Sequence, residues 1–166
     1  MRWMVAALAA MLGAVDAARA QPAMWQGYAQ AAIAAHARRV GGQAPRESRK
    51  TCEGDVNGDG KVDAAVLYTI ENAAGGNGWT QYILVMVAAP QGVGATNPKE
   101  VGATGKRSVE SCTLTAGAIE ATTKEWAPED PSCCPSKPGT LRLGFEKGKV
   151  VDAPAAAAPA PAPSAS

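Results

Sequence analysis

Apolar positions recur at a helical period early in the chain and at a strand period later. Between Pro22 and Arg39 they fall at three- and four-residue steps, at Trp25, Ala29, Ala32, Ile33 and His36, with Val40 following. Alanine is abundant there, Arg38 and Arg39 suit a helix carboxyl end, and Gly41-Gly42 stops the pattern. The spacing predicts one amphipathic helix over 22–39. Gly27 lowers its intrinsic stability, so packing through Trp25 and Tyr28 is expected to hold it.

Beyond Gly42 the period is lost. "GQAPRESRKTCEG", with Pro45 inside it, reads as a connector leading to a loop at Asp55, with strands expected only after that loop. "AAVLYTI" (64–70) is a continuous apolar run, fitting a strand buried on both faces, and "WTQYILVMV" (79–87) is rich in aromatic and β-branched residues. Asn77-Gly78 between them signals an antiparallel hairpin. "RSVESCTLT" (107–115) and "AIEATTKEW" (118–126), split by Ala116-Gly117, predict a second hairpin. "TLRLGF" (140–145) adds a strand with Leu141, Leu143 and Phe145 inward, and "EKGK" turns the chain toward Val150 and Val151. These elements define an α+β fold in which the N-terminal helix packs on a curved antiparallel β-meander of five or six strands.

Composition at the two ends divides the chain further. Residues 1–20 carry Arg2, an apolar run from Met4 to Val15, and small residues at Ala18 and Ala20, the anatomy of a secretory signal peptide. The run is too short, and too interrupted by Asp16, for a membrane span of about 20 apolar residues. Residues 21–152 then form a single α+β domain, within the size that one hydrophobic core supports. The Pro/Ala-rich 153–166 is expected to be disordered. A periplasmic or secreted location follows, with no membrane span after cleavage.

Removing Arg2 and Arg19 from 16 basic residues, and Asp16 from 15 acidic ones, leaves 14 of each. That balance gives no overall electrostatic case for nucleic acid or an anionic membrane. The local run Arg38, Arg39, Arg46, Arg49 and Lys50 reads as a solvated helix end and loop. Four cysteines, Cys52, Cys112, Cys133 and Cys134, in an exported chain are disulfide candidates with three possible connectivities. Cross-pairing is sterically easier than a bond between the neighbours Cys133 and Cys134, although the neighbour bond stays open.

The chemistry concentrates in "DVNGDGKVD" (55–63). Calcium takes six to eight oxygen ligands, and a tightly coiled chain supplies them from alternate positions. Asp55, Asn57 and Asp59 stand at positions one, three and five, Lys61 offers a backbone carbonyl at seven, and Asp63 a carboxylate at nine. Gly60 permits the sharp turn and Gly58 relaxes the loop. Without a cation, three carboxylates would crowd around Lys61 alone. Position twelve is Val66, inside a strand, where the helix-loop-helix calcium site needs a glutamate. The loop instead resembles the calcium loops of FG-GAP-type propeller repeats. No second "DxNxDG" occurs in the chain, so the resemblance carries the loop and not the propeller.

On a wider scale "DVNGDGKVDAAVLYTIE", "GGNGWTQYILVMV", "KRSVES" and "EDPSCCPSKPGT" together resemble a family of small exported bacterial proteins, over about Asp55 to Thr140. That resemblance implies compartment and fold more than an activity. Pro128, Pro131, Pro135 and Pro138 keep the double-cysteine segment out of helix and sheet ladder. Its neighbours include no histidine or basic group to lower a thiol pKa, so the pair reads first as a structural staple.

His36 is the only histidine, on the apolar side of the helix, and no C-x-x-C spacing points to zinc. No "GxSxG" elbow is present. Glu110, Glu120 and Glu125 read as solvated strand carboxylates. Trp25, Trp79 and Trp126 read as core or sheet-face residues. The expected function is a noncatalytic calcium-binding domain with a protein or envelope partner. The alternative is a thiol-based redox or metal-handling protein acting through Cys133 and Cys134.

Overall fold

The structure is a computed structural model that describes residues 15–153 apart from Ser132. Residues 1–14 of the expected leader and 154–166 of the expected tail lie outside the described residues. Among the described residues one α-helix, α1 (Val15–Val40), packs on an antiparallel sheet of nine strands. The strands are β1 (Lys50–Gly54), β2 (Asp63–Glu71), β3 (Trp79–Ala89), β4 (Gly92–Ala95), β5 (Lys99–Ala103), β6 (Arg107–Thr115), β7 (Ala118–Glu125), β8 (Lys137–Glu146) and β9 (Lys149–Asp152). Their order is β1-β2-β3-β5-β6-β7-β8-β9, with β4 paired to β3 off this path. Among the described residues no helix is long and apolar enough to cross a membrane.

Several sequence expectations need correction. The helix begins at Val15, ahead of Pro22, and nine strands replace the expected five or six. β1 precedes the Asp55 loop, in the stretch expected to be a connector, and pairs Lys50–Gly54 with Leu67–Asp63. β8 starts at Lys137, so Pro138 lies inside a strand opposite Lys124. Proline is tolerated there because β9 pairs with β8 only from Leu143 onward, leaving the other side of Pro138 without a ladder partner.

The helix presents Trp25, Ala29, Ile33 and Ala37 at a step of four, all buried against Ala64, Val66, Tyr68, Ile70, Leu84 and Met86 of β2 and β3. Tyr28 does not share in this packing, being 50% exposed. Gly41, at φ 69°, ends the helix, and Gly42 N–H reaches back to the Ala37 carbonyl at 3.0 Å, the closure that satisfies an orphan carbonyl. The opposite face of β2 and β3, through Ala65, Leu67, Ile83 and Val85, packs on Val109, Leu114, Ile119 and Leu143. β2 is therefore buried on both faces, as its unbroken apolar run implies.

That second core exists because the sheet curls until β1 lies beside β6. The Lys50 ammonium donates to the Glu110 carbonyl, Cys52 is bonded to Cys112, and a Cβ on Gly54 would stand 2.7 Å from the Leu114 carbonyl oxygen. Each pair is separated by the same distance in sequence, so the two strands run side by side in parallel. Where β5 and β6 diverge, the Gln81 side chain stands in for a strand, accepting from Val109 N–H at 2.6 Å and donating to its carbonyl at 3.2 Å.

Between helix and sheet, His36 Nδ1 and the Tyr68 hydroxyl are 2.6 Å apart, and the imidazole meets the Tyr82 ring edge-on. Burial, with the nearby Arg39 cation, holds the His36 pKa below its ordinary value, while burial raises that of Tyr68. The unfolded chain thus takes up a proton near pH 6.5 that the folded chain resists. Stability should fall as pH drops below about 6.5, by at most about 1.4 kcal/mol per pH unit, and level off below the folded pKa. Urea unfolding at stepped pH checks this, and His36→Gln should flatten the slope in that window.

Candidate metal centre

The Asp55–Asp63 segment is the turn of the β1–β2 hairpin, closing directly on the Gly54–Asp63 pair. Asp55 organises it. One carboxylate oxygen accepts N–H bonds from Gly58 (2.7 Å) and Asp59 (3.1 Å), and the other accepts from Gly60 (2.7 Å). Asn57 Oδ1 accepts from Asp59 N–H at 3.0 Å, and Asp59 Oδ1 from Lys61 N–H at 2.9 Å. Gly58 and Gly60 sit at φ 76° and 81°, the left-handed region that a side chain at either place would strain. Alternating oxygen-bearing side chains thus wind the loop around Asp55.

The Asp59 carboxyl is held below its usual range, first by the Lys61 N–H and further by Asn57 and the Lys61 cation. The Lys61 ammonium stands 3.8 Å from Asp59 with both groups exposed, a geometry of little energetic weight.

Asp63 has a different environment. It is fully buried, accepting from Val56 N–H at 3.1 Å with one oxygen and from Ala88 N–H of β3 at 2.9 Å with the other. The structure therefore gathers Asp55, Asn57 and Asp59 around the turn and sets Asp63 at its base as a bridge to β3. Among the described residues no three His, Cys, Asp or Glu side chains form a group that could hold a metal ion. Any ion here would draw also on Asn57 and on the Lys61 carbonyl.

Val56, and its link to the Gly117 turn, escaped the sequence reading. The Val56 side chain is fully buried in the second core, and its carbonyl accepts from Gly117 N–H of the β6–β7 turn at 2.8 Å. A single apolar residue in a polar loop was the available signal. A cleft of about 270 Å³, lined by Asn57, Val87, Thr96 and Phe145, opens beside the turn, and Asn57 is the loop's contribution to it. The Asp55 and Asp59 side chains instead face the loop's own backbone.

The remaining candidates are dispersed. Glu110 accepts from Ser108, Glu120 faces Arg142 at 3.7 Å, and Glu125 faces Arg107 at 3.5 Å, each with its own partner. Arg49 is partly buried, donating to Gln30 and to the Ala44 carbonyl, which departs from a purely solvated basic run. Trp25 is core, whereas Trp79 and Trp126 are partly buried, with ring centroids 5.9 Å apart and planes tilted by 33°. The cysteines pair as Cys52–Cys112 and Cys133–Cys134, so the double-cysteine segment is not tied to a distant strand. Comparison with protein families, curated proteins and solved structures finds no match to the chain.

Proposed function

We propose that the protein is an exported, noncatalytic calcium-binding domain with an interaction or envelope role, its ion held by the β1–β2 turn. The observation that carries this reading is the winding of the turn around Asp55, which brings Asn57 and Asp59 to the same bend with both glycines in left-handed conformation. An ionised carboxylate offers about four lone-pair sites, and Asp55 spends three on N–H donors, leaving capacity for a cation. Asp55, Asn57 and Asp59 would supply side-chain oxygens, Lys61 its carbonyl, and Asp63 charge from below.

The ion's role in this reading is bracing. The turn is pinned to the β6–β7 turn through Val56 and to β3 through Asp63, so closing it stiffens the region where the curled sheet meets itself. At about 10 mM calcium, ~10–100 times the weak dissociation constants of extracellular modules, the expected gain over chelated protein is about 1.4–2.7 kcal/mol, roughly 4–13 °C in Tm. Asp59→Ala should abolish that gain while leaving chelated stability within about 0.5 kcal/mol. Equal melting with calcium and with chelator, and no heat on calorimetric titration, would remove the ion from the reading.

A further inference from the structure

Two disulfides in one small domain do different physical work. Cys52–Cys112 links strands 60 residues apart, and Cys52 is buried in the second core. Cys133–Cys134 joins adjacent residues, so the ring it closes is confined to one dipeptide and restricts the unfolded chain far less than a long-range link does. Both of its cysteines are exposed. It neither staples nor packs.

Nor does it shape the segment that carries it. Asp130 does that, its carboxylate accepting from Ala127 N–H at 2.8 Å and from Ser136 N–H at 2.7 Å, which clamps both ends of the loop on one side chain. Those donors, Ala127 first and then Ser136, hold the Asp130 carboxyl below its ordinary range. The Trp126 indole N–H donates to the Pro131 carbonyl at 3.2 Å, Cys134 N–H donates to that same oxygen at 3.0 Å, and four prolines fix their own φ angles. A bond with no stapling role, displayed in solvent on a loop held from elsewhere, is free to open and close without unfolding anything.

We propose that Cys133–Cys134 is a reversible thiol–disulfide exchange site whose partner is a dithiol, while Cys52–Cys112 is the permanent structural bond. A thiolate of the dithiol attacks one sulfur of the pair, forming a mixed disulfide and releasing the other cysteine as a thiolate, which takes a proton. The dithiol's second thiol then attacks the mixed disulfide and frees the first cysteine. Two electrons and two protons pass to the protein pair, and the dithiol leaves as its own disulfide. Adjacency keeps the reduced thiols together, so oxidation restores the starting state. This site is independent of calcium and of the Asp55 turn.

The test equilibrates the full chain in dithiothreitol buffers of graded reduced-to-oxidised ratio, traps thiols by alkylation and maps them by peptide mass. Cys133 and Cys134 should become labelled together at a ratio at least tenfold lower than Cys52 and Cys112 require. The change should reverse on return to the oxidised buffer, with melting temperature unmoved. Cys133→Ser/Cys134→Ser should lose the low-ratio transition and keep the melting temperature. Opening of the pair only together with Cys52–Cys112, failure to re-form, or a parallel fall in melting temperature would overturn the proposal.

Discussion

Replacing Asp63 by alanine should cost roughly 3–5 kcal/mol in the presence of chelator, where no ion contributes. The carboxylate is fully buried, and its two oxygens are the acceptors for Val56 N–H and Ala88 N–H. Alanine leaves both donors without a partner, each worth about 1–3 kcal/mol of desolvation, and removes the link between the hairpin turn and β3. Asp63→Asn keeps one acceptor oxygen but turns its amide donor toward the other N–H, so about half of that loss is expected. Urea unfolding at neutral pH, with an unchanged slope, measures it. If Asp63→Ala unfolds at the wild-type midpoint in chelator, the carboxylate does not hold the turn, and its burial has another cause. Asp59→Ala should show the opposite profile, losing calcium response with little change in chelated stability, because Asp59 is exposed and accepts only from within the loop.

That contrast shows where sequence spacing stops. Alternate oxygens at 55, 57, 59 and 63 are legible as a set, but spacing treats them as equal. Burial separates Asp63 from the rest, and burial comes from Val56 and β3, far from the loop's own pattern. The strands divide in the same way. β2, β3, β6 and β7 were readable because they carry long apolar or alternating runs bounded by turn glycines. β1 reads "KTCEG" and buries only Cys52, β4 reads "GVGA" and β5 "KEVGA". Such short polar or glycine-rich segments become strands through the neighbours they pair with, which a local window does not contain. The helix face was legible from its period. Cysteine pairing was not, since it depends on the curl that lays β1 along β6.

That curl makes Cys52–Cys112 the covalent link whose loss should cost most. Cys52→Ala/Cys112→Ala is expected to destabilise the domain by about 4 kcal/mol, the chain-entropy value for a closed loop of this length, lowering Tm by roughly 10–20 °C. The Cα atoms are 5.9 Å apart, so the bond spans strands already at packing distance. β1 has ladder bonds only to β2, and its contacts with β6 include the Lys50–Glu110 hydrogen bond, the disulfide and the close approach of Gly54 to Leu114. Removing the link should therefore loosen β1 and the Asp55 turn it leads into, raising amide exchange there before it rises in β2 or β7. Cys133→Ser/Cys134→Ser should stay within about 0.5 kcal/mol of the wild type. Thermal unfolding of the two double variants side by side decides the matter: equal midpoints would mean that the β1–β6 closure is held by packing alone, and that neither disulfide bears the load of the curled sheet.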